Sequence, residues 1–145
     1  MTPSKKLWLV LGGAPLLILV LIGAFVFLGD SLEAPRGYVT EDGLVFDSKH
    51  LLDPIPLDSI RISEARLVNS RTETEYRLTR KDNGIAISGY RVGWFRLSSG
   101  EKVFVSLDSE SQALYVPTDS GFSLLIDGNS GMELLATLKE NMNDA

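Results

Sequence analysis

The stretch GYRVGWFRLSSGEKVFVSL, residues 89–107, determines how we expect the C-terminal part of this chain to fold. Small or apolar residues occupy every second position on both sides of a Ser-Ser-Gly-Glu turn, namely Gly93, Phe95, Leu97, Val103, Val105 and Leu107. This period of two predicts two half-buried antiparallel strands with one face toward a core. Because the stretch contains no Cys, His or Asp, we interpret it as scaffold, with glycines that allow close backbone approach.

Similar patterns continue on both sides of this stretch. Residues 38–46 predict a hairpin, because the Glu-Asp-Gly sequence at 41–43 suits a tight turn. The alternation in residues 60–68 slips by one position, which predicts a bulge. The polar residues 69–84 predict a long loop or an irregular hairpin. Two further strands are expected at residues 114–116 and 122–126.

The soluble part ends in a predicted helix. Ser130 and Glu133 have the spacing of a capping box, which marks a helix start. Apolar residues then recur at steps of three and four, and these residues are Met132, Leu135, Leu138 and Met142. About seven strands and one C-terminal helix are therefore expected.

The N-terminal part predicts a membrane anchor. Residues 7–28 form 22 consecutive positions without a charge, and a helix of that length spans about 33 Å, enough to cross a hydrocarbon core of about 30 Å. The alternative, a cleaved signal peptide, has a shorter apolar region and a small-residue cleavage site, which this run lacks. A buried core helix is the other alternative, and we disfavour it because the run is apolar on every face.

Basic residues near the two ends of this run predict its orientation. Lys5 and Lys6 precede the run, whereas Arg36 is the one basic residue within about 20 positions after it. We therefore expect a single-pass membrane protein with a cytoplasmic N-terminus and an extracytoplasmic C-terminal domain. In a bacterium this means an inner-membrane protein with a periplasmic domain, or a domain at the cell surface in a cell with a single membrane. The predicted organisation is a tail at 1–6, a transmembrane helix at 7–28, a linker at 29–37 and a domain at 38–142.

Composition narrows the classes of function. The chain has a net charge of −5, and the part after the apolar run carries 12 Lys and Arg against 19 Asp and Glu, a net charge of −7. Nucleic-acid binding needs a cationic footprint, so no nucleic-acid partner is expected. The absence of cysteine excludes disulfides, thiolate nucleophiles and cysteine-rich zinc sites.

Three stretches and the helix after them resemble the bacterial PH-like (pleckstrin-homology-like) domain family. They are IPLDSIRISEARLV (residues 55–68), GYRVGWFRLSSGEKVFVSL (89–107) and ALYVPTDSGFSLLID (113–127). The resemblance covers about residues 38–142. It implies a mainly β domain, a PH-like antiparallel sandwich or barrel of two nearly orthogonal sheets, closed at one end by the C-terminal helix.

The resemblance supplies no catalytic residue, and function must be argued from a site rather than from a fold. Eukaryotic relatives of the fold bind phosphoinositides through basic residues in the first hairpin loop. Here that loop, residues 41–43, is acidic, which argues against headgroup binding at this position. The lone histidine, His50, is interpreted as a loop residue. We expect no enzyme activity, no cofactor and no metal.

Charge is unevenly distributed within the domain. Residues 61–102 carry nine basic and five acidic side chains, whereas residues 103–145 carry one and seven. This excess predicts either a contact surface or charges paired across strands. The candidate contact residues are Arg61, Arg66, Arg77, Arg80, Lys81, Arg91, Trp94 and Arg96.

Trp94 and Tyr115 fall on the nominally polar faces of their strands. Each is either a contact anchor or a side chain covered by residues 69–84, and we favour burial. Overall, the sequence favours a membrane-tethered module that binds another envelope protein. The alternative is docking on anionic lipid headgroups, or on another anionic polymer, through the basic residues.

Overall fold

The computed structural model describes residues 16–24, 33–48, 50–109 and 112–144. The chain divides into two compact units, Met1–Leu32 and Glu33–Ala145. Residues 16–24 are helical. Within the described ranges, no helix has the length and apolar character needed to span a bilayer. The remainder of the predicted transmembrane segment 7–28 lies outside the described residues, so that segment stays a prediction.

The second unit is mainly β with a C-terminal helix, which confirms the predicted fold class at this level. Eight strands are present in the described part, and they are β1 (Gly37–Thr40), β2 (Gly43–Phe46), β3 (Arg66–Val68), β4 (Leu78–Ile87), β5 (Tyr90–Leu97), β6 (Lys102–Leu107), β7 (Ala113–Pro117) and β8 (Ser123–Asp127). β1 and β2 form the predicted hairpin. The other six strands form one sheet in the order β3-β7-β8-β6-β5-β4, and the helix Gly128–Asn143 follows β8.

The expectation of purely antiparallel pairing is wrong at one position in the sheet. β8 pairs antiparallel with β7 but parallel with β6, from Val103 opposite Ser123 to Ser106 opposite Ile126. The chain leaves β6, forms β7 two positions along the sheet and returns through β8 into the space between them. Alternation along a strand reveals which residues face a core but not the direction of the neighbouring strand, so the sequence could not predict this pairing.

The central strands are buried on both faces, whereas the alternation predicted burial on one. One cluster lies under the C-terminal helix and the β1–β2 hairpin and includes Leu44, Phe46 and Phe104. A second cluster fills the opposite face and includes Phe95, Val103, Val105, Leu107 and Tyr115. The nearly continuous apolar runs of β7 and β8 are the sequence signal of such two-sided burial.

The C-terminal helix closes one face of the sheet, and the predicted face is confirmed for Leu135 and Leu138 but wrong for Met132 and Met142. Gly131, Leu134, Leu135 and Leu138 are buried, whereas Met132 and Met142 are exposed. A Cβ at position 131 would lie 2.6 Å from the Cβ of Leu114, so only glycine allows this contact with β7. The N-cap is Asp127 rather than Ser130, because the Asp127 carboxylate accepts a hydrogen bond from the backbone N–H of Asn129 at 3.3 Å.

Two predictions for the middle of the chain are wrong in detail. The expected bulge near residue 64 is a 3₁₀ turn, Ile62–Glu64, that leads into β3. Residues 69–84, expected to form a long loop or an irregular hairpin, contain another 3₁₀ turn, Thr74–Tyr76, and most of the ten-residue strand β4. Because β4 pairs irregularly with β5, the loop alternative is wrong and the hairpin alternative is confirmed. β4 is the edge strand of the sheet and is largely exposed, so its sequence lacks the apolar alternation that marks a half-buried strand.

The folded unit begins before the predicted domain boundary at residue 38. The backbone N–H of Ala34 donates to the carboxylate of Asp108, and the hydroxyl of Ser106 donates to the carbonyl of Pro35 at 2.6 Å. The second half of the predicted linker 29–37 is therefore packed against the end of β6.

Candidate functional site

The predicted contact residues lie at separate places on the domain. Five of them lie on β4 or β5, or directly before β4, at one edge of the sheet. We call this set the basic edge: Arg77, Arg80, Lys81, Arg91 and Arg96. Arg61 and Arg66 lie beside β3 and β7, and Trp94 packs into the domain. Five of the eight candidates thus lie on or beside two neighbouring strands, where Arg77 and Arg91 line one cavity and Arg80 and Arg96 share the carboxylate of Asp82.

Arg61 belongs to a local group of ion pairs. Its guanidinium lies 3.1 Å from the carboxylate of Asp119 and 3.3 Å from that of Glu64. These side chains are about half exposed, and such surface pairs contribute little to stability. Arg61 is thus held apart from the basic edge.

Arg66 is part of the packing rather than of a contact surface. Its guanidinium lies 5.2 Å from the ring centroid of Tyr76 and 5.6 Å from that of Tyr115. Both distances suit cation–π attraction. Since the two rings also contact each other, with centroids 5.0 Å apart, Arg66 covers an aromatic pair at the margin of the second cluster.

Within the basic edge, Asp82 lies between two arginines. Its carboxylate accepts hydrogen bonds from Arg80 at 2.7 Å and from Arg96 at 2.9 Å. These hydrogen bonds lower the pKa of the Asp82 carboxyl below its ordinary value of 3.8. This three-residue group joins β4 to β5 in spite of the two like charges.

A surface cavity of about 290 Å³ lies at the start of β4. It is lined by Ser70, Arg71, Arg77, Leu78, Arg91 and Leu107. Three guanidinium groups on one cavity favour an anionic ligand, because their planar donors match carboxylate and phosphate oxygens. Arg71 was counted in the charge excess but was not among the candidate contact residues.

β4 is an edge strand, because among the described strands it pairs with β5 alone. The backbone N–H and C=O groups along its outer side are therefore not paired with another described strand. The pairing is irregular between Leu78 and Arg80 and again between Lys81 and Asn83. Bulges and charges of this kind are how natural sheets restrict pairing at an edge. Residues 83–87 pair regularly with β5 and carry no charge. The second half of β4 therefore has neither a bulge nor a charged side chain to restrict pairing at this edge.

Trp94 is held by internal contacts. Its indole N–H donates to the carbonyl of Leu51 at 2.6 Å, and its ring meets those of Phe104 and Phe122 at centroid distances of 5.4 and 4.9 Å. Lys102 lies over the ring, 4.4 Å from its centroid. Burial was favoured over an anchor role, but the covering segment contains Leu51 rather than residues 69–84.

Sequence reasoning missed a polar cluster around Tyr115. The phenol donates to the carboxylate of Glu101 at 2.8 Å, and the hydroxyl of Ser123 also donates to Glu101. Burial raises the pKa of the Tyr115 phenol above its ordinary value of 10.0. Because Tyr115 is 8% exposed and Ser123 is 2% exposed, this cluster satisfies buried polar atoms within the fold.

Other chemistry finds little support in the described part of the chain. His50 is exposed beside a turn, and no group of three or more His, Cys, Asp or Glu side chains in the described ranges is arranged to hold a metal ion. Comparison of the sequence with protein-family models, with curated proteins and with solved structures finds no match in any of the three.

Proposed function

We propose that this chain is a membrane-tethered, non-catalytic binding module that engages a protein partner at the bacterial cell envelope. The tether is the uncharged run 7–28, with Lys5 and Lys6 on the cytoplasmic side and the folded unit outside. The PH-like relationship also stays a proposal. A sheet covered on one face by a C-terminal helix agrees with it, whereas the parallel pairing of β6 and β8 does not.

The observation that carries this proposal is the coincidence of the basic edge with the open side of β4. An extended segment of a partner can add to an exposed strand through backbone hydrogen bonds, while side chains provide specificity. Lys81 and Arg77 are exposed along this strand, and the cavity lined by Arg77 and Arg91 lies at its start. The favoured partner is therefore a protein segment that is extended and acidic.

Site-specific photo-crosslinking in membranes tests this proposal. A photoreactive amino acid at Lys81 of the full chain should yield a discrete adduct with one protein, which mass spectrometry can identify. The matched control is Leu67 on β3, which is 46% exposed at the opposite edge of the same sheet. Equal adducts from the two positions, or none from Lys81, would count against a partner on the β4 side.

A second candidate is docking on anionic lipid headgroups through the same residues. The observation that favours it is the cavity with three arginines, since guanidinium groups bind phosphate well. Flotation of residues 33–145 with anionic vesicles should then fall at high salt and in Arg77→Ala. Arg61→Ala, whose guanidinium is paired with Glu64 and Asp119, should leave flotation unchanged.

A further inference from the structure

The far end of the β4–β5 hairpin exposes apolar side chains. Ile85 is 48% exposed and Ile87 is 36% exposed, and their cross-strand partners are Val92 and Tyr90. Residues 83–90 include no charged side chain. In the basic edge, by contrast, the first half of β4 carries Arg80 and Lys81 together with Asp82. On the face that carries Ile85 and Ile87, the far end of the hairpin is thus apolar, whereas Arg91, which pairs with Ala86, belongs to the other face.

This end lies close to the place where the chain enters the folded unit. Ser106, Val92 and Ile85 form one row across β6, β5 and β4, and directly paired residues share a face of the sheet. Since neighbouring strands lie about 4.8 Å apart, Ile85 is about 10 Å from Ser106. The hydroxyl of Ser106 holds the carbonyl of Pro35 on this same face.

The length of chain before this point limits how far the entry lies from the end of the uncharged run. Glu33 follows Leu28 by five residues, which reach at most about 17 Å when fully extended. If residues 7–28 cross a membrane, as the proposed function requires, the start of the folded unit is held near the surface of that membrane. The apolar end of the hairpin is then within reach of the same surface.

We propose that Ile85, Ile87 and Tyr90 dock into the headgroup and acyl boundary of the membrane that anchors the chain. This inference rests on the membrane tether in the proposed function. Aliphatic side chains beside a tyrosine suit this boundary, where an apolar body enters the lipid and the phenol stays with the headgroups. Residues 33–144 carry more acidic than basic side chains, so apolar contact rather than overall charge drives the docking.

Docking of this kind would complement the role of the basic edge. The hairpin end would fix the orientation of the sheet on the membrane, while Lys81 and Arg77, nearer the base of the hairpin, would stay in water. A partner segment could then approach β4 along its charged half.

The test uses the full chain reconstituted in vesicles of zwitterionic lipid, with a fluorescent label sensitive to its environment. The sequence contains no cysteine, so Ile85→Cys provides a single labelling position, and Ile87→Cys is a second in case the first disturbs folding. Leu67→Cys on β3 is the control, because its native side chain is 46% exposed, close to the 48% of Ile85.

We expect a quencher attached near the headgroup end of the lipid to reduce emission at positions 85 and 87 by about two-fold, since a docked apolar face lies about 5–10 Å into the boundary. Emission from position 67 should change little. High salt should not alter this difference. Equal quenching at positions 67 and 85, or a difference that high salt abolishes, would overturn the proposal.

Two further readouts separate this inference from the proposed tether. If the chain does not float with the vesicles at all, the tether itself fails. If it floats and the labels at 85 and 67 respond alike, only the hairpin contact fails. Protection of position 85 that depends on protein concentration and not on the lipid quencher would instead identify a second copy of the chain as the occupant, and would also overturn the proposal.

Discussion

Two aromatic side chains at the margins of the core, Trp94 and Tyr115, are held in place by hydrogen bonds from their polar atoms. Trp94 reaches the carbonyl of Leu51, and Tyr115 reaches the carboxylate of Glu101. The alternation in the sequence predicts that both side chains lie on polar strand faces, because it implies that one face of each strand is exposed to water. The contacts that bury them come from segments distant in sequence, so no local pattern could have identified the partners.

Gly93 has a strict requirement for its residue type. Its φ is +124°, and a Cβ there would lie 2.3 Å from the carbonyl oxygen of Asn83 on β4. Gly93→Ala should therefore lower the free energy of unfolding by about 2–5 kcal/mol through strain and overpacking. Urea melts of residues 33–145 would measure this loss.

Gly100 provides the matched control for that substitution. Its φ is also positive, at +86°, but no atom lies within 4 Å of an added Cβ. Gly100→Ala should cost only about 1–2 kcal/mol from backbone strain. Similar losses for the two variants would show that β4 and β5 do not approach as closely as the structure indicates.

The burial of the Tyr115 phenol leads us to expect that the domain loses stability at alkaline pH. Burial raises the pKa of its phenol above 10.0, and burial also raises the pKa of Tyr76 and Tyr90. A raised pKa in the folded state means that the unfolded chain loses its proton first. The corresponding stability is fully present below pH 10 and falls as the pH rises above it.

Urea melts between pH 8 and pH 11 should therefore show a falling midpoint above about pH 10. Tyr115→Phe removes one of the titrating groups, so the decline above pH 10 should be shallower in this variant, even though its stability at pH 8 is lower. An identical pH dependence in the two proteins would mean that the Tyr115 phenol is accessible to water in the folded state.

Strands that bury one or both faces could be predicted from the sequence, whereas the exposed edge strand β4 could not. The sequence identifies β5 and β6 correctly because period-two alternation survives where at least one face is apolar. It fails for β4, whose side chains face water, and for the order of β6, β7 and β8, which depends on a chain crossover. The basic edge lies mostly on β4 and β5, so its existence was foreseen as an excess of charge and its location was not.

The C-terminal helix offers a test of packing at the scale of one element. Leu138 is 1% exposed and packs in the first cluster, whereas Met132 on the same helix is 46% exposed. Leu138→Ala should reduce the free energy of unfolding by about 2–5 kcal/mol, and Met132→Ala by less than about 0.5 kcal/mol. Urea melts of residues 33–145 would give both values.

If the two helix variants lose the same stability, the helix does not cover the sheet with the face described. Similar, large losses for both variants would support the predicted face, which contained both Met132 and Leu138, over the observed one. The comparison therefore separates the helix phase expected from the sequence from that in the structure.

For the whole molecule, we propose that the folded β unit follows a membrane tether after a connection of only a few residues. The folded unit, with its two-sided core and bound entry segment 33–36, is described directly by the structure. The tether rests on 22 uncharged residues and on the two lysines before them. Partner binding at the basic edge and lipid contact at the hairpin end both depend on where that tether holds the domain.

The most direct test of this central claim is the intact mass of the full chain recovered from alkali-washed membranes. The account predicts that the protein stays in the membrane through the wash and that its recovered mass still includes residues 7–28. Release by the wash, or a mature N-terminus between residues 25 and 36, would contradict the claim that residues 7–28 anchor this domain.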